Sequence, residues 1–512
     1  MTSTVEQERQ LACLSLLYEA VNETCRAGAD AVYSSGATGQ EESLSDTETF
    51  LCKLAQVCDS QKGGDTITAL ACLRGRHGLE YTICSNSRPD SELNECVKFL
   101  TKLLNYISMN PNALQPKALR KQVLWRILKF NIGRVSFYLK ALFPIVAQCI
   151  DDCHRLEDGH QSAALKHLLA IHDRCNFEID MASTENSEPL FLSSCESLIN
   201  IYQDAMPKGL AVVLDSRGRM AGHGHGNWSQ LRHLLGRLHS YRQAADTIIG
   251  ASLVRPELFR GFAVQYVPSA APARSLVPRG APLGQLLRLA FPPDEPPPLL
   301  GDVDELELER AGLLQDTVSA LQRRGRRGRG SRTAVHCEAQ LHGYLHNQGL
   351  TSPSQFLDGS CFIATSKPPC KLCHVYFDAL SGTGFRVRAP HLNMYPRWRL
   401  PDLDDADGRA EVLEDMIEQM QDDTTSLLRS RRAQWRRNDS RTDTRAGFQS
   451  ALGAMMMNPH GGGEGGVSLR SGSAMSMRSQ TMMDMPPPPV PPYHPSSAAS
   501  ATHSWTRLDG VI

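Results

Sequence analysis

Two short segments with metal-ligand side chains constrain this chain more than any other feature of its sequence. Residues 336–338 read His-Cys-Glu, and residues 369–373 read Pro-Cys-Lys-Leu-Cys. A catalytic zinc site uses three protein ligands and keeps a fourth position for water, whereas a structural site is closed by four protein ligands. His336, Cys370 and Cys373 supply three ligands. The sequence therefore predicts a zinc site with an open position.

The local sequence predicts that each ligand lies at the start of a helix. His336 begins the stretch HCEAQLHGYLHNQ, while Cys370 and Cys373 are one helical turn apart. Pro368 and Pro369 favour a helix that begins at Cys370, since proline is tolerated in the first turn. The dipole of a helix N-terminus stabilises thiolates, so we expect both cysteines to be good ligands.

A fourth protein ligand is difficult to find near these residues. Cys361 starts a predicted strand and lies roughly 16 Å before Ser366, which follows that strand. Cys337 should point away from its neighbour His336, and His374 is offset from Cys373 by about a quarter turn. His342 is the strongest rival, one turn beyond Glu338, and we interpret it as a partly exposed or hydrogen-bonded helix histidine.

Glu338 shifts the interpretation from metal storage to catalysis. A carboxylate beside a zinc-bound water takes its proton and later delivers it to a substrate, and zinc lowers the pKa of that water toward 7. We therefore predict that Glu338 is catalytic and does not bind the metal. A structural zinc knuckle, or cysteines without a common role, is the alternative.

At HCEAQL and SKPPCKLC the chain resembles the cytidine deaminase-like superfamily, and it looks most like the fungal deaminase-like branch. The resemblance covers about 70 residues, 334–401. It implies a three-layer α/β/α sandwich around a mixed sheet, with zinc between two helix N-termini. By position it assigns His336, Cys370 and Cys373 to zinc and Glu338 to proton transfer. The superfamily pattern also includes a strand hairpin before the histidine, and none is evident directly before His336.

The first half of the chain has a helical pattern from about residue 5 to 260. Val97, Leu100, Leu103, Leu104 and Ile107 recur on one helix face, and residues 117–156 continue this periodicity. Residues 259–268 have the β-branched and aromatic content of a strand. We place a domain boundary near 270.

The second half alternates predicted helices and strands. Residues 302–322 and 410–437 predict helices, and residues 385–389 alternate as a half-buried strand does. The fold class is α+β, with a disordered, low-complexity tail that contains GGGEGG and PPPPVPP. The predicted division is 1–270 (mainly helical, role unassigned), 271–402 (zinc deaminase-like domain), 403–437 (C-terminal helix) and 438–512 (tail).

Composition adds few constraints on substrate or location. The formal net charge is −1, so a polyanion partner needs a local basic patch. The start of the sequence has no secretory pattern, the apolar runs fall below the roughly 20 residues of a membrane span, and the 15 cysteines lack a repeating framework. We expect an intracellular protein, cytoplasmic or nuclear.

A basic run directly before His336 suggests one partner. Its arginines can contact the phosphates of a nucleotide or nucleic acid, or they form a solvated loop or a nuclear-import signal. The run has six arginines in ten residues, which are Arg323, Arg324, Arg326, Arg327, Arg329 and Arg332. We interpret a second cluster, which contains Arg429, Arg431, Arg432, Arg436 and Arg437, as a solvated helix face.

Four aromatic residues and a histidine pair complete the candidates. Helical spacing places Tyr376 and Phe377 in the core, whereas Tyr395 and Trp398, in a loop-like segment, are candidates to stack on a base. His223 and His225 in GHGHG lack nearby cysteines or acids, so we interpret that segment as a glycine loop.

Three functional hypotheses follow. The leading one is a hydrolytic deaminase that attacks C4 of cytosine or C6 of adenine, in a nucleotide or a nucleic acid. The second is a non-catalytic zinc-containing module whose helical half binds a protein. The third is a mutator that acts on single-stranded nucleic acid.

Overall fold

Fourteen α-helices and six short strands form the part of the chain that the computed structural model describes. The described residues are 3–28, 44–155, 159–175, 188–220, 226–291, 305–324 and 332–430. The helices are α1 (Thr4–Gly28), α2 (Asp46–Cys58), α3 (Asp90–Met109), α4 (Pro116–Phe130), α5 (Ile132–Arg155), α6 (Gly159–Cys175), α7 (Glu188–Ala205), α8 (Leu210–Met220), α9 (Asn227–Val254), α10 (Leu283–Ala290), α11 (Glu305–Arg324), α12 (Cys337–Asn347), α13 (Lys371–Ala379) and α14 (Ala406–Ser430). The strands are β1 (Thr68–Gly75), β2 (Gly78–Ser85), β3 (Ala263–Val267), β4 (Ala273–Arg274), β5 (Arg332–Thr333) and β6 (Ala364–Thr365).

A mixed sheet of four strands lies at the centre of this helical chain. Its order is β3-β2-β1-β6, and β4 pairs separately with β5. β1 is antiparallel to both β2 and β6, while β2 and β3 are parallel. Helices predominate around a small mixed sheet, so the predicted α+β class is confirmed.

The two faces of the sheet belong to two different hydrophobic cores. Along β1, Leu70 and Cys72 pack into a core with helices α2 to α9. Ala69, Ala71 and Leu73 pack into a second core that contains α1 and α10 to α14. Because successive strand residues point to opposite faces, one strand serves both cores. Helices therefore cover both faces of the sheet.

The hairpin of β1 and β2 was not predicted from sequence. Both strands are buried on both faces over most of their length, so their apolar residues form a continuous run that periodicity cannot distinguish from a helix. Gly78, at the turn, has a φ of 140°, and a side chain there would collide with the carbonyl of Gly261. That close approach places β3 beside β2.

Of the other predicted elements, the helical stripes and the strand before residue 268 form, whereas the strand at residues 385–389 does not. The stripes at residues 97–107 and 124–135 lie on α3, α4 and α5, and residues 263–267 form β3, as expected. Residues 385–389 do not form a strand. They contribute one bridge, between Phe362 and Arg386.

The predicted boundary at residue 270 stays a sequence prediction. The central sheet joins β1 and β2, before that position, to β6, after it. The predicted tail lies outside the described residues, and so do His223 and His225 of the GHGHG segment. Among the helices that are described, none combines the length and apolar character needed to cross a membrane.

A buried ion pair connects the sheet to the helical half. Asp59, at the end of α2, accepts hydrogen bonds from Thr66 (2.7 Å) and from the guanidinium of Arg134 on α5 (2.6 Å). The Ser366 hydroxyl, directly after β6, also donates to it over 3.3 Å. Asp59 and Arg134 are nearly inaccessible to solvent. Their charges are tolerated there because each has a partner of opposite charge.

The substitution Asp59→Asn should destabilise the fold strongly. It leaves Arg134 buried without its counter-charge, which typically costs about 3–5 kcal/mol. Urea unfolding followed by circular dichroism measures the change. The control is Glu95→Gln, which removes the exposed ion pair with Lys98 and should leave the midpoint unchanged. Equal midpoints for both variants would contradict the assigned role of Asp59.

Candidate metal centre

His336 is held in place by the end of a neighbouring strand. It is the N-cap residue of α12 and has an extended backbone. The backbone N–H of Cys337 donates to Asn86 Oδ1 over 2.7 Å, and Asn86 directly follows β2. An N–H group at a helix start has no partner within its own helix, so Asn86 satisfies it and fixes where α12 begins.

The two cysteines lie at the start of α13. Cys370 is the N-cap residue, and its sulfur accepts a hydrogen bond from the backbone N–H of Cys373 over 3.5 Å. The preceding chain is fixed by the backbone N–H of Ser366, which donates to the Thr68 carbonyl on β1. The predictions of a helix at each ligand segment are therefore confirmed.

The three predicted ligand atoms converge. His336 Nδ1 lies 3.4 Å from Cys370 Sγ and 3.4 Å from Cys373 Sγ. All three atoms lie within 4.8 Å of one another. Tetrahedral bonds of zinc to nitrogen and sulfur require an N–S separation of about 3.6 Å. These side chains can therefore hold a metal ion with little movement.

Within the cluster, the neighbouring side chains favour a protonated His336 imidazole and a deprotonated Cys370 thiol. Burial opposes the charged form of His336, yet the adjacent Cys370 outweighs it and raises the pKa of the imidazole to about 9. Burial also opposes a Cys370 thiolate, but hydrogen bonds from Cys373 and His336 hold the pKa of its thiol well below the usual range. Cys370 is thus the thiolate of the pair, which is the form that binds metals.

Glu338 lies in the first turn of α12 and is 4% exposed. The Cys337 thiol donates to its Oε2 over 3.3 Å. The pKa of Cys373 is raised by burial and, to a smaller extent, by Cys370 and Glu338. A carboxylate is therefore buried beside the three-ligand cluster.

The rival fourth ligands are engaged elsewhere. His374 pairs with Asp378 at 3.3 Å, and the thiol of Cys361 points to the Thr351 carbonyl. Neither belongs to the group of ligand atoms that converge, and neither does Cys337. Among the described residues, the group consists of His336, Cys370 and Cys373.

His342 is a buried neutral histidine that is hydrogen-bonded, as one of the two predicted alternatives had it, whereas the alternative of partial exposure is wrong. It is fully buried, and its Nδ1 lies 2.7 Å from the hydroxyl of Tyr376. Burial, with a smaller contribution from His346, lowers its pKa to about 3.

The predicted aromatic residues separate into two groups. Tyr376 and Phe377 are buried, as expected from their spacing. Tyr395 is 41% exposed and its ring lies edge-on to His336, with centroids 6.0 Å apart. Trp398 is buried, and its indole N–H donates to Cys373 Sγ over 3.2 Å. Trp398 is therefore positioned to support a ligand, and Tyr395 remains the candidate for stacking.

The sequence patterns did not predict Asn86 or the contact of Trp398 with Cys373. The hydrogen bond from Cys337 to Asn86 joins residues 251 positions apart, and no local sequence pattern predicts such a partner. The indole contact spans 25 residues across an irregular loop.

The basic segments are described only in part. Arg323 is exposed at the end of α11, whereas Arg326, Arg327 and Arg329 lie outside the described residues, as does the side chain of Arg324. Arg429 is exposed in the last turn of α14, and the other arginines of that second cluster lie outside the described range.

The low pKa of His342 predicts a loss of stability in acid. In the unfolded chain a histidine binds its proton near pH 6.5, whereas folded His342 resists protonation until about pH 3. The contribution of neutral His342 to the free energy of unfolding is therefore present above pH 6.5 and is lost as the pH falls toward 3. Between pH 7 and 5, His342→Gln should remove on the order of 2 kcal/mol of the decrease in unfolding free energy.

Urea unfolding at both pH values measures this difference. His77→Gln, on the exposed hairpin turn, is the matched control. An unchanged pH dependence in His342→Gln would contradict the prediction.

The hydrogen bond from Trp398 predicts a weaker metal site in Trp398→Phe. Loss of a hydrogen bond to a metal ligand typically weakens metal binding by about 10–100-fold. Competition between Co²⁺ and a chelator measures the affinity, and the sulfur-to-cobalt absorption band reports the thiolates directly. Trp228→Phe is the control, since that indole donates to Asp152 instead. Equal affinities in the two variants would rule out a supporting role for Trp398.

Comparison with known proteins gives one family match. Residues 335–402 match the family model described as OTT_1508_deam-like deaminase. Neither the curated proteins nor the solved structures gave a match. The matched segment contains His336, Glu338, Cys370 and Cys373, and it ends after the loop that carries Tyr395 and Trp398. Over residues 335–402, this chain carries a domain of the deaminase-like superfamily.

Proposed function

We propose that this chain is a zinc-dependent hydrolytic deaminase that acts on cytosine or adenine within a nucleotide or nucleic acid. One observation carries the proposal: a buried carboxylate, Glu338, lies beside three converging ligands inside a segment that matches a deaminase family. A structural metal site needs no such carboxylate.

The arrangement of the helices and strands supports a cytidine deaminase-like α/β/α sandwich. Helices cover both faces of the sheet, and α12 and α13 bring their N-termini together at the cluster. The hairpin β1–β2 supplies strands next to β6, although it lies far earlier in the chain than the superfamily pattern suggests. The fungal branch stays a prediction from sequence.

His336, Cys370 and Cys373 are proposed to hold the zinc ion. The donor set of one imidazole nitrogen and two cysteine sulfurs suits zinc, and only three ligands converge among the described residues. When bound, zinc supplies Lewis acidity that lowers the pKa of water toward 7.

Glu338 is proposed to move the protons of the reaction. Its carboxylate accepts a proton from the attacking water and passes it to the ring nitrogen, and it then carries the remaining proton of the added hydroxyl to the departing amine. The carbon–nitrogen bond breaks, ammonia leaves, and a carbonyl group replaces the amine. Burial of Glu338 keeps bulk water from competing for these protons.

The substrate base is proposed to approach along His336 and Tyr395. Both cysteines are buried, whereas His336 is half-buried and Tyr395 is exposed. An aromatic ring at the open side of the cluster offers a surface on which a base can stack.

A non-catalytic, zinc-containing interaction module is the second candidate. The helical half presents exposed apolar side chains on α7 and α8, since Leu190 and Val212 are each 71% exposed. Large exposed apolar side chains are compatible with a protein partner there.

The substitution Glu338→Gln separates the two candidates. It should retain about one zinc per chain, measured by atomic emission, and reduce ammonia release by about 10²–10⁴-fold because proton transfer is lost. The assay covers nucleosides, nucleotides and oligonucleotides. Glu411→Gln, exposed on α14, is the control. A zinc-containing wild-type protein that releases no ammonia from any of them, with no effect of Glu338→Gln, would favour the interaction module.

A further inference from the structure

Two arginines face each other across the small sheet of β4 and β5, and β5 leads to His336. Arg274 on β4 is the direct antiparallel partner of Arg332 on β5. Both are exposed, and neither guanidinium makes an ion pair or hydrogen bond within the part of the chain that is described. Like charges placed directly opposite in a sheet are destabilising. Their mutual repulsion raises the free energy of the folded protein, and an anionic ligand between them would remove that repulsion.

The arginine pair lies on the same face as His336. From Arg332 to His336 the chain is extended, and its residues are alternately exposed and buried. Thr333 and Val335 are buried on one face, while Arg332, Ala334 and His336 have solvent access on the other. Because side chains alternate along an extended chain, the arginines and the imidazole point to one side.

The pair is fixed to the rest of the domain. The Thr333 hydroxyl donates to the Ala273 carbonyl over 3.4 Å, and the Arg399 guanidinium donates to the Ala271 carbonyl over 3.3 Å. Ala334 also bridges to Trp398, whose indole contacts Cys373. The strand of Arg332 is therefore connected to the three-ligand cluster through Trp398.

The separation suits a nucleotide whose base reaches the cluster. Four extended residues place the α-carbon of Arg332 about 13 Å from that of His336. An arginine side chain on one side and a sugar with its phosphate on the other together span that distance. Guanidinium groups match phosphate oxygens with paired hydrogen bonds, and two of them provide a fork for one or two phosphates.

We propose that Arg274 and Arg332 form a phosphate-binding subsite that holds the substrate of the metal centre, an inference that rests on the proposed function. The phosphate is either the terminal group of a mononucleotide or a phosphodiester of single-stranded nucleic acid. The charge pair selects phosphorylated substrates over free nucleosides.

The test compares the variant Arg274→Gln/Arg332→Gln with wild type, both in a Glu338→Gln background that prevents turnover. The probes are a fluorescein-labelled single-stranded oligodeoxycytidylate 20-mer, and CMP against cytidine. Anisotropy is measured from low to moderate NaCl. The slope of log affinity against log salt is negative, and loss of two phosphate contacts should reduce its magnitude by about 1.4. Each contact on a single strand contributes about 0.7.

The matched control is Arg76→Gln/Arg260→Gln. It removes an equal number of positive charges, and Arg76 lies in the turn of the β1–β2 hairpin, where β2 begins about 26 Å from Asn86. The control should keep the wild-type salt slope. A fall in slope specific to the Arg274/Arg332 variant identifies a phosphodiester. A loss confined to the preference for CMP over cytidine identifies a terminal phosphate.

The inference is overturned if both measures are unchanged in the Arg274/Arg332 variant, if the control changes them equally, or if Glu338→Gln protein binds neither phosphorylated probe. Ammonia release by protein with Glu338 intact tests the proposed function separately. Deamination of cytidine, with both binding measures unchanged in the Arg274/Arg332 variant, would retain the function and reject the subsite. A change in either binding measure without any deamination would do the reverse.

Discussion

The antiparallel pairing of β1 with β6 is the constraint on which the candidate site depends. It joins segments 298 residues apart in the chain, with Thr68 bonded to Ser366. β6 leads within a few residues to Cys370, while the adjacent strand β2 ends at Asn86, which fixes the start of α12. A few hydrogen bonds between strands thereby set the distance between the histidine and the two cysteines.

Burial of the sheet requires every polar group inside it to have a polar partner. The sheet separates two hydrophobic cores, and most of its side chains have no access to solvent. Polar groups that enter such an interior need partners, and Asp59 and Arg134 supply them for each other. The cluster itself follows the same principle, because its imidazole, thiolate and indole N–H groups satisfy one another.

Local signals made parts of the fold predictable. Apolar stripes predicted α3 to α5, and the proline and cysteine positions predicted the start of α13. Ligand chemistry and spacing identified His336, Cys370 and Cys373, which the structure brings together. The hairpin β1–β2 escaped because continuous burial removes the alternation that marks a strand. Residues 385–389 alternate like a strand, yet they form a single bridge.

The sequence by itself determined which atoms can bind a metal, because residue type and helical spacing fix donor chemistry, and it placed a carboxylate next to them. It could not determine what surrounds these atoms. Asn86 at the start of α12, the indole of Trp398 on Cys373 and the facing pair of Arg274 and Arg332 all depend on which strands pair. Strand pairing joins residues that are distant in the chain and is selected by burial of the whole sheet, so only the tertiary structure decided those contacts.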